Sequence, residues 1–134
     1  MYVMFAVISD TKKLKKIINT LRDIGLKGAT IIDSMGGGNY YNSYLTGRPA
    51  IGSALRAIND TGEFNKTIMS VVYCEKHVLA AMDAIEEILG GDMKKPGSGI
   101  IFTVPVEDFR GGELERYLTE KGCLNQGFSY QQRR

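Results

Sequence analysis

One stretch of the chain is suited to holding an anion. Lys94-Lys95-Pro96-Gly97-Ser98-Gly99 sets two ammonium groups, a hydroxyl and two glycines within six residues. Glycine amides approach a phosphate closely, and lysines supply the opposite charge. A second glycine cluster, Gly36-Gly37-Gly38, opens a long segment over residues 36–64. That segment carries Tyr40, Tyr41, Tyr44 and Arg48 as contact groups, with Leu45, Ile51, Leu55 and Ile58 as apolar ones. A compact domain seldom holds so long a connection unless the loop is functional or disordered. A plain hairpin loop is the bland alternative. The functional reading outweighs it, because loops on rigid scaffolds so often carry binding.

The remaining reactive side chains read as structural. His77 is the only histidine, and no second histidine is available to build a metal site with it. Cys74 and Cys123 lie far apart with no Cys-x-x-Cys pair, which fits a reducing compartment and gives no zinc framework. Cys74 is read as a structural thiol rather than a nucleophile. Asp83, Glu86 and Glu87 fall on the polar side of a helix and are read as solvated. Lys12, Lys13, Lys15 and Lys16 suit either a phosphate patch or a solvated helix face, and the solvated face is favoured. Asp108 with Arg110 fits an ion pair or a ligand contact, and the residue types do not separate the two.

Bulk properties bound the class. A chain of 134 residues suits one domain with a core of its own. It is 43% hydrophobic and 24% charged, as a globular protein is. A net charge of +2 argues against a dedicated nucleic-acid binder. No apolar run has bilayer length and no leader pattern opens the chain, so the expected location is cytoplasmic.

The elements that position these residues follow from periodicity. Residues 2–8 form a short apolar run, read as a strand buried on both faces. Asp10 or Thr11 caps a helix whose stripe is Leu14, Ile17, Ile18, Leu21 and Ile24, and Gly25 ends it. Strands are expected over 29–35, 66–73 and 100–106, with Pro105 late in the last. A second amphipathic helix is expected over 75–89, stopped by Gly90 and Gly91. A short helix over 113–121 precedes a polar tail at 123–134. The order strand, helix, strand, strand, helix, strand is the ferredoxin-like βαββαβ sandwich, an α+β fold. Both helices then cover one sheet face, and the apolar other face becomes an association surface.

In this order the chain resembles the PII signal-transduction family, as a divergent PII-like member. The resemblance spans roughly residues 3–110. Ile24-Gly25-Leu26-Lys27-Gly28 is similar to the family's join between the first helix and second strand. Gly36-Gly37-Gly38 stands at the base of its T-loop, and Gly97-Ser98-Gly99 before Ile100-Ile101-Phe102 is similar to its B-loop and fourth strand. The resemblance implies a PII-like domain over residues 1–122 that signals and does not catalyse. It implies a homotrimer with an adenine nucleotide (ATP, ADP, AMP or a cyclic nucleotide) as effector in clefts between subunits. It also implies a T-loop that regulates a membrane transporter or a metabolic enzyme, with no covalent cofactor, no metal and no nucleic acid. The implied ligand contacts are Gly36, Gly37, Gly38, Lys94, Lys95, Gly97, Ser98 and Gly99. Ser98 and Ile100 stand where the family has Asp and Lys. Its arginine pair beyond the fourth strand gives way to Gly111-Gly112-Glu113, leaving Arg110 as the substitute.

Two rivals rank lower. A small enzyme of this fold, of the acylphosphatase kind, needs an arginine-bearing phosphate loop where this chain has Ser9-Asp10-Thr11. An RNA-binding module needs exposed aromatics on the third strand, which offers only Tyr73.

Overall fold

The computed structural model describes residues 1–26, 28–37 and 64–112. Its elements are β1 (Tyr2–Ile8), a 3-10 turn (Thr11–Lys13), α1 (Leu14–Ile24), β2 (Thr30–Met35), β3 (Phe64–Val72), α2 (Glu75–Ile88) and β4 (Ile100–Pro105). The four strands form one sheet in the order β2-β3-β1-β4, and every neighbouring pair is antiparallel. This is the expected ferredoxin-like α+β arrangement. The short helix expected over 113–121, the tail at 123–134, Gly38, Tyr40, Tyr41, Tyr44 and Arg48 lie outside the described residues.

Alternation along the strands decides which side is core. Met4, Ala6 and Ile8 of β1 and Ile68 and Val72 of β3 point at the helices and are buried. Ile17 and Leu21 of α1 and Val78, Ala81 and Ile85 of α2 close over them. A fully buried side chain of this size contributes about 1.5–3 kcal/mol of transfer free energy. Ser70 is the buried polar member of this face, and its hydroxyl donates to the Gly28 carbonyl at 2.6 Å. That bond ties β3 to the segment entering β2.

Among the described residues no helix covers the opposite face, and Val3, Phe5 and Val7 are only half-buried there, which corrects the reading of β1 as buried on both sides. Register places Val71, Val3 and Val104 in one row across β3, β1 and β4. The next row is Thr30, Met69, Phe5 and Phe102, and the third is Ile32, Thr67, Val7 and Ile100. Phe5 and Phe102 stack with ring centroids 5.0 Å apart. Ile100, Phe102 and Val104 are 55%, 42% and 44% exposed. The surface is mostly apolar and contiguous, with Thr30 and Thr67 as the polar members of these rows.

Both helices end in the same way. Gly25 takes φ 109°, its N–H donates to the Arg22 carbonyl, and the Leu26 N–H donates to that of Leu21. Gly90 and Gly91 repeat the pattern on Glu87 and Glu86. This pair of hydrogen bonds, one from the left-handed glycine and one from the residue after it, satisfies carbonyls that a helix end leaves bare.

Candidate functional site

The loop between α2 and β4 is held by its own polar groups. Asp92 accepts the Lys94 N–H at 3.0 Å through Oδ1. The Ser98 N–H donates to the Lys95 carbonyl at 3.2 Å, with Pro96 second and Gly97 third at φ 80°. That is the residue pattern of a type II turn, which requires positive φ at its third position. The Ser98 hydroxyl donates to the Asp92 carbonyl at 3.4 Å and draws the two ends of the loop together. Lys94 and Lys95 are exposed on its outside. Gly99, at φ 106°, runs against the Val7 carbonyl at the end of β1. An open groove of about 270 Å³ lies beside the loop, lined by Met82, Glu86, Met93, Gly99, Ile100 and Ile101.

The base of the long connection is fixed by the ladder itself. Pairing continues to Met35 opposite Phe64, so β3 begins two residues before the expected start. The Ser34 and Thr67 hydroxyls share a hydrogen bond of 2.8 Å. The Lys66 ammonium pairs with the Asp33 carboxylate across the strands. Gly36 and Gly37 follow directly.

Topology brings these two regions to one end of the sheet. β1 and β2 finish there, while β3 and β4 start there. Strands repeat about every 4.8 Å, so β4 stands roughly 10 Å from β3 and 14 Å from β2. Gly36, Gly37, Lys94, Lys95, Gly97, Ser98 and Gly99 therefore share an end, on segments joined to strands about 14 Å apart. Arg110 follows β4 at the opposite end. There Met1, Tyr73 and Cys74 form a second small core with Val106 and Phe109. Within one chain Arg110 is remote from the lysine loop.

Cys74 is buried at the start of α2, and its Sγ lies 3.1 Å from His77 Nδ1. Their i, i+3 spacing at a helix start was the available signal for that contact. Asp83, Glu86 and Glu87 are exposed, and Glu86 alone of the three lines the groove. No group of three or more metal-ligating side chains occurs among the described residues. Tyr73 is buried, so it offers no stacking platform for a base. Phe64, which the earlier start adds to β3, lies on the same side as Ile68 and not on the open face. Asp92 and the Gly99–Val7 approach escaped sequence reasoning. Only the loop's fold shows that Asp92 organises the lysines.

The family model described as nitrogen regulatory protein P-II matches residues 3–111. No curated protein matches the chain.

Proposed function

The chain belongs to the nitrogen regulatory protein P-II family, a family of signalling regulators, and from that premise we propose that it is a trimeric effector sensor. An adenine nucleotide binds between subunits, against Gly36, Gly37 and Gly38 at the loop base and against Lys94, Lys95, Gly97, Ser98 and Gly99. The long loop, with Tyr40, Tyr41, Tyr44 and Arg48, then engages a membrane transporter or a metabolic enzyme. The observation that carries this reading is the convergence of both glycine segments on one end of the sheet.

Three further features support it. The apolar open face suits burial against other copies of the chain. The two regions are separated by the width of β1 and β3, so a ligand touching both spans a cleft, as a nucleotide does. Arg110 sits at the far end in its own chain and joins such a cleft only from a neighbour. Ile100, apolar and exposed, stands where the family's B-loop resemblance places a lysine. With one cation fewer, the cleft favours ligands with fewer phosphate charges than a triphosphate.

Calorimetric titration with ATP, ADP, AMP, cyclic nucleotides and bicarbonate tests the reading. One adenine nucleotide is expected to bind at one site per chain. Absence of binding by every nucleotide to the folded protein would overturn it. No helix among the described residues is long and apolar enough to cross a membrane.

A further inference from the structure

Four lysines stand within five residues at the start of the first helix: Lys12, Lys13, Lys15 and Lys16. Lys12, Lys15 and Lys16 are exposed. Lys13 lies 3.8 Å from the Asp10 carboxylate. Among the described residues no carboxylate is within ion-pair reach of the other three. α1 has no acidic residue in its first turn.

Helix physics disfavours this placement twice. The N-terminal end carries the positive pole of the helix dipole, where cations are unfavourable. Lys12 also faces Lys15 and Lys16, and Lys13 faces Lys16, at spacings where like charges repel. The fold requires none of these ammonium groups, since α1 is anchored by Leu14, Ile17, Ile18 and Leu21. The second helix follows the usual rule and starts with Glu75. A local rule broken with no gain to the fold points to function.

We propose that this lysine patch is an electrostatic docking surface for an anionic phospholipid membrane. Successive residues advance by about 100° around a helix, so the four fan over a broad convex arc. A planar layer of headgroups meets such an arc without geometric matching. All four are lysines, point charges without the bidentate fork that arginine offers to a specific phosphate. No aromatic lies among residues 9–26 on which a nucleic-acid base could stack. The apolar side of α1 is spent in the core, so nothing inserts and the attachment rests on charge alone. Clusters of four or more lysines suffice for attraction to anionic headgroups. The patch follows the end of β1, the same end at which Lys94 and Lys95 stand. It goes beyond the effector reading and stands even if no nucleotide binds.

Vesicle flotation of the full chain tests the proposal, with phosphatidylcholine vesicles compared against phosphatidylcholine mixed with phosphatidylglycerol. Binding is expected on the anionic vesicles alone, and rising salt is expected to release it. Each lysine-to-glutamine change is expected to weaken partitioning about fivefold. The quadruple variant Lys12→Gln, Lys13→Gln, Lys15→Gln, Lys16→Gln should therefore not float. Its thermal midpoint is expected to stay level or rise, because repulsion at the helix start is removed. A control, Arg22→Gln with Lys76→Gln, removes exposed cations outside the patch and should still float. Failure of the native protein to bind anionic vesicles, or equal loss in the control, would overturn the proposal. Retention on an oligonucleotide or polyglutamate with none on vesicles would overturn it too.

Discussion

Gly99 passes so close to Val7 that a Cβ on the glycine would run into the valine carbonyl oxygen. The contact fixes the lysine loop to the end of β1. Gly97, two residues earlier, has positive φ but open space around its Cβ position. The two glycines thus answer different needs. Gly97→Ala is expected to cost about 1–2 kcal/mol from backbone strain alone. Gly99→Ala adds a steric clash and is expected to cost about 3–5 kcal/mol. Urea unfolding of both variants checks the order, and equal losses would contradict the close approach.

Lys95 is exposed on the outside of the type II turn. Truncating it removes charge without disturbing the loop's internal bonds, which use its carbonyl and not its ammonium group. A charge-assisted hydrogen bond is worth about 1.5–3 kcal/mol. Lys95→Ala is therefore expected to weaken a phosphate-bearing effector about tenfold or more, with the thermal midpoint unchanged. Calorimetry with an effector that binds the native protein reads this directly, and an unchanged affinity would move the site elsewhere.

Two of the side-chain links that tie β3 to neighbouring segments differ in burial, and burial separates their worth. The Ser70 hydroxyl donates to the Gly28 carbonyl from a position 3% exposed. Ser70→Ala is expected to cost about 1–2 kcal/mol. The Asp33–Lys66 pair is open to solvent, with the aspartate side chain 76% exposed. A double-mutant cycle on that pair should give less than about 1 kcal/mol, and less still at high salt. Thermal unfolding of these variants tests the ranking.

The sequence was most legible where one local signal had no competitor. The apolar run of β1 matched its observed bounds, and Gly25 and Gly90 ended their helices as their freedom at positive φ demands. The order of strands and helices along the chain followed from the alternation of periods. Boundaries drifted where pairing overrode composition: β3 extends back to Phe64 because Met35 continues the ladder opposite it. The run at β1 read as buried on both faces, since a continuous apolar strand looks alike whether a helix or another subunit covers it. The loop lysines stood out by residue type, and both lie exposed on the outside of the loop between α2 and β4. Asp92 and the Gly99–Val7 approach were not, because both depend on a three-dimensional closure that spacing does not encode. The long connection's tyrosines lie outside the described residues.

The central claim is that the open face, with Phe5 stacked on Phe102 at 5.0 Å, closes by self-association and so creates the effector cleft. Sedimentation equilibrium tests it most directly. The native chain is expected at three times its monomer mass at micromolar concentration. Phe102→Glu, which sets a charge on an exposed edge-strand position, is expected at the monomer mass with its helices and sheet retained by circular dichroism. A native chain that remains monomeric throughout that range would contradict the account.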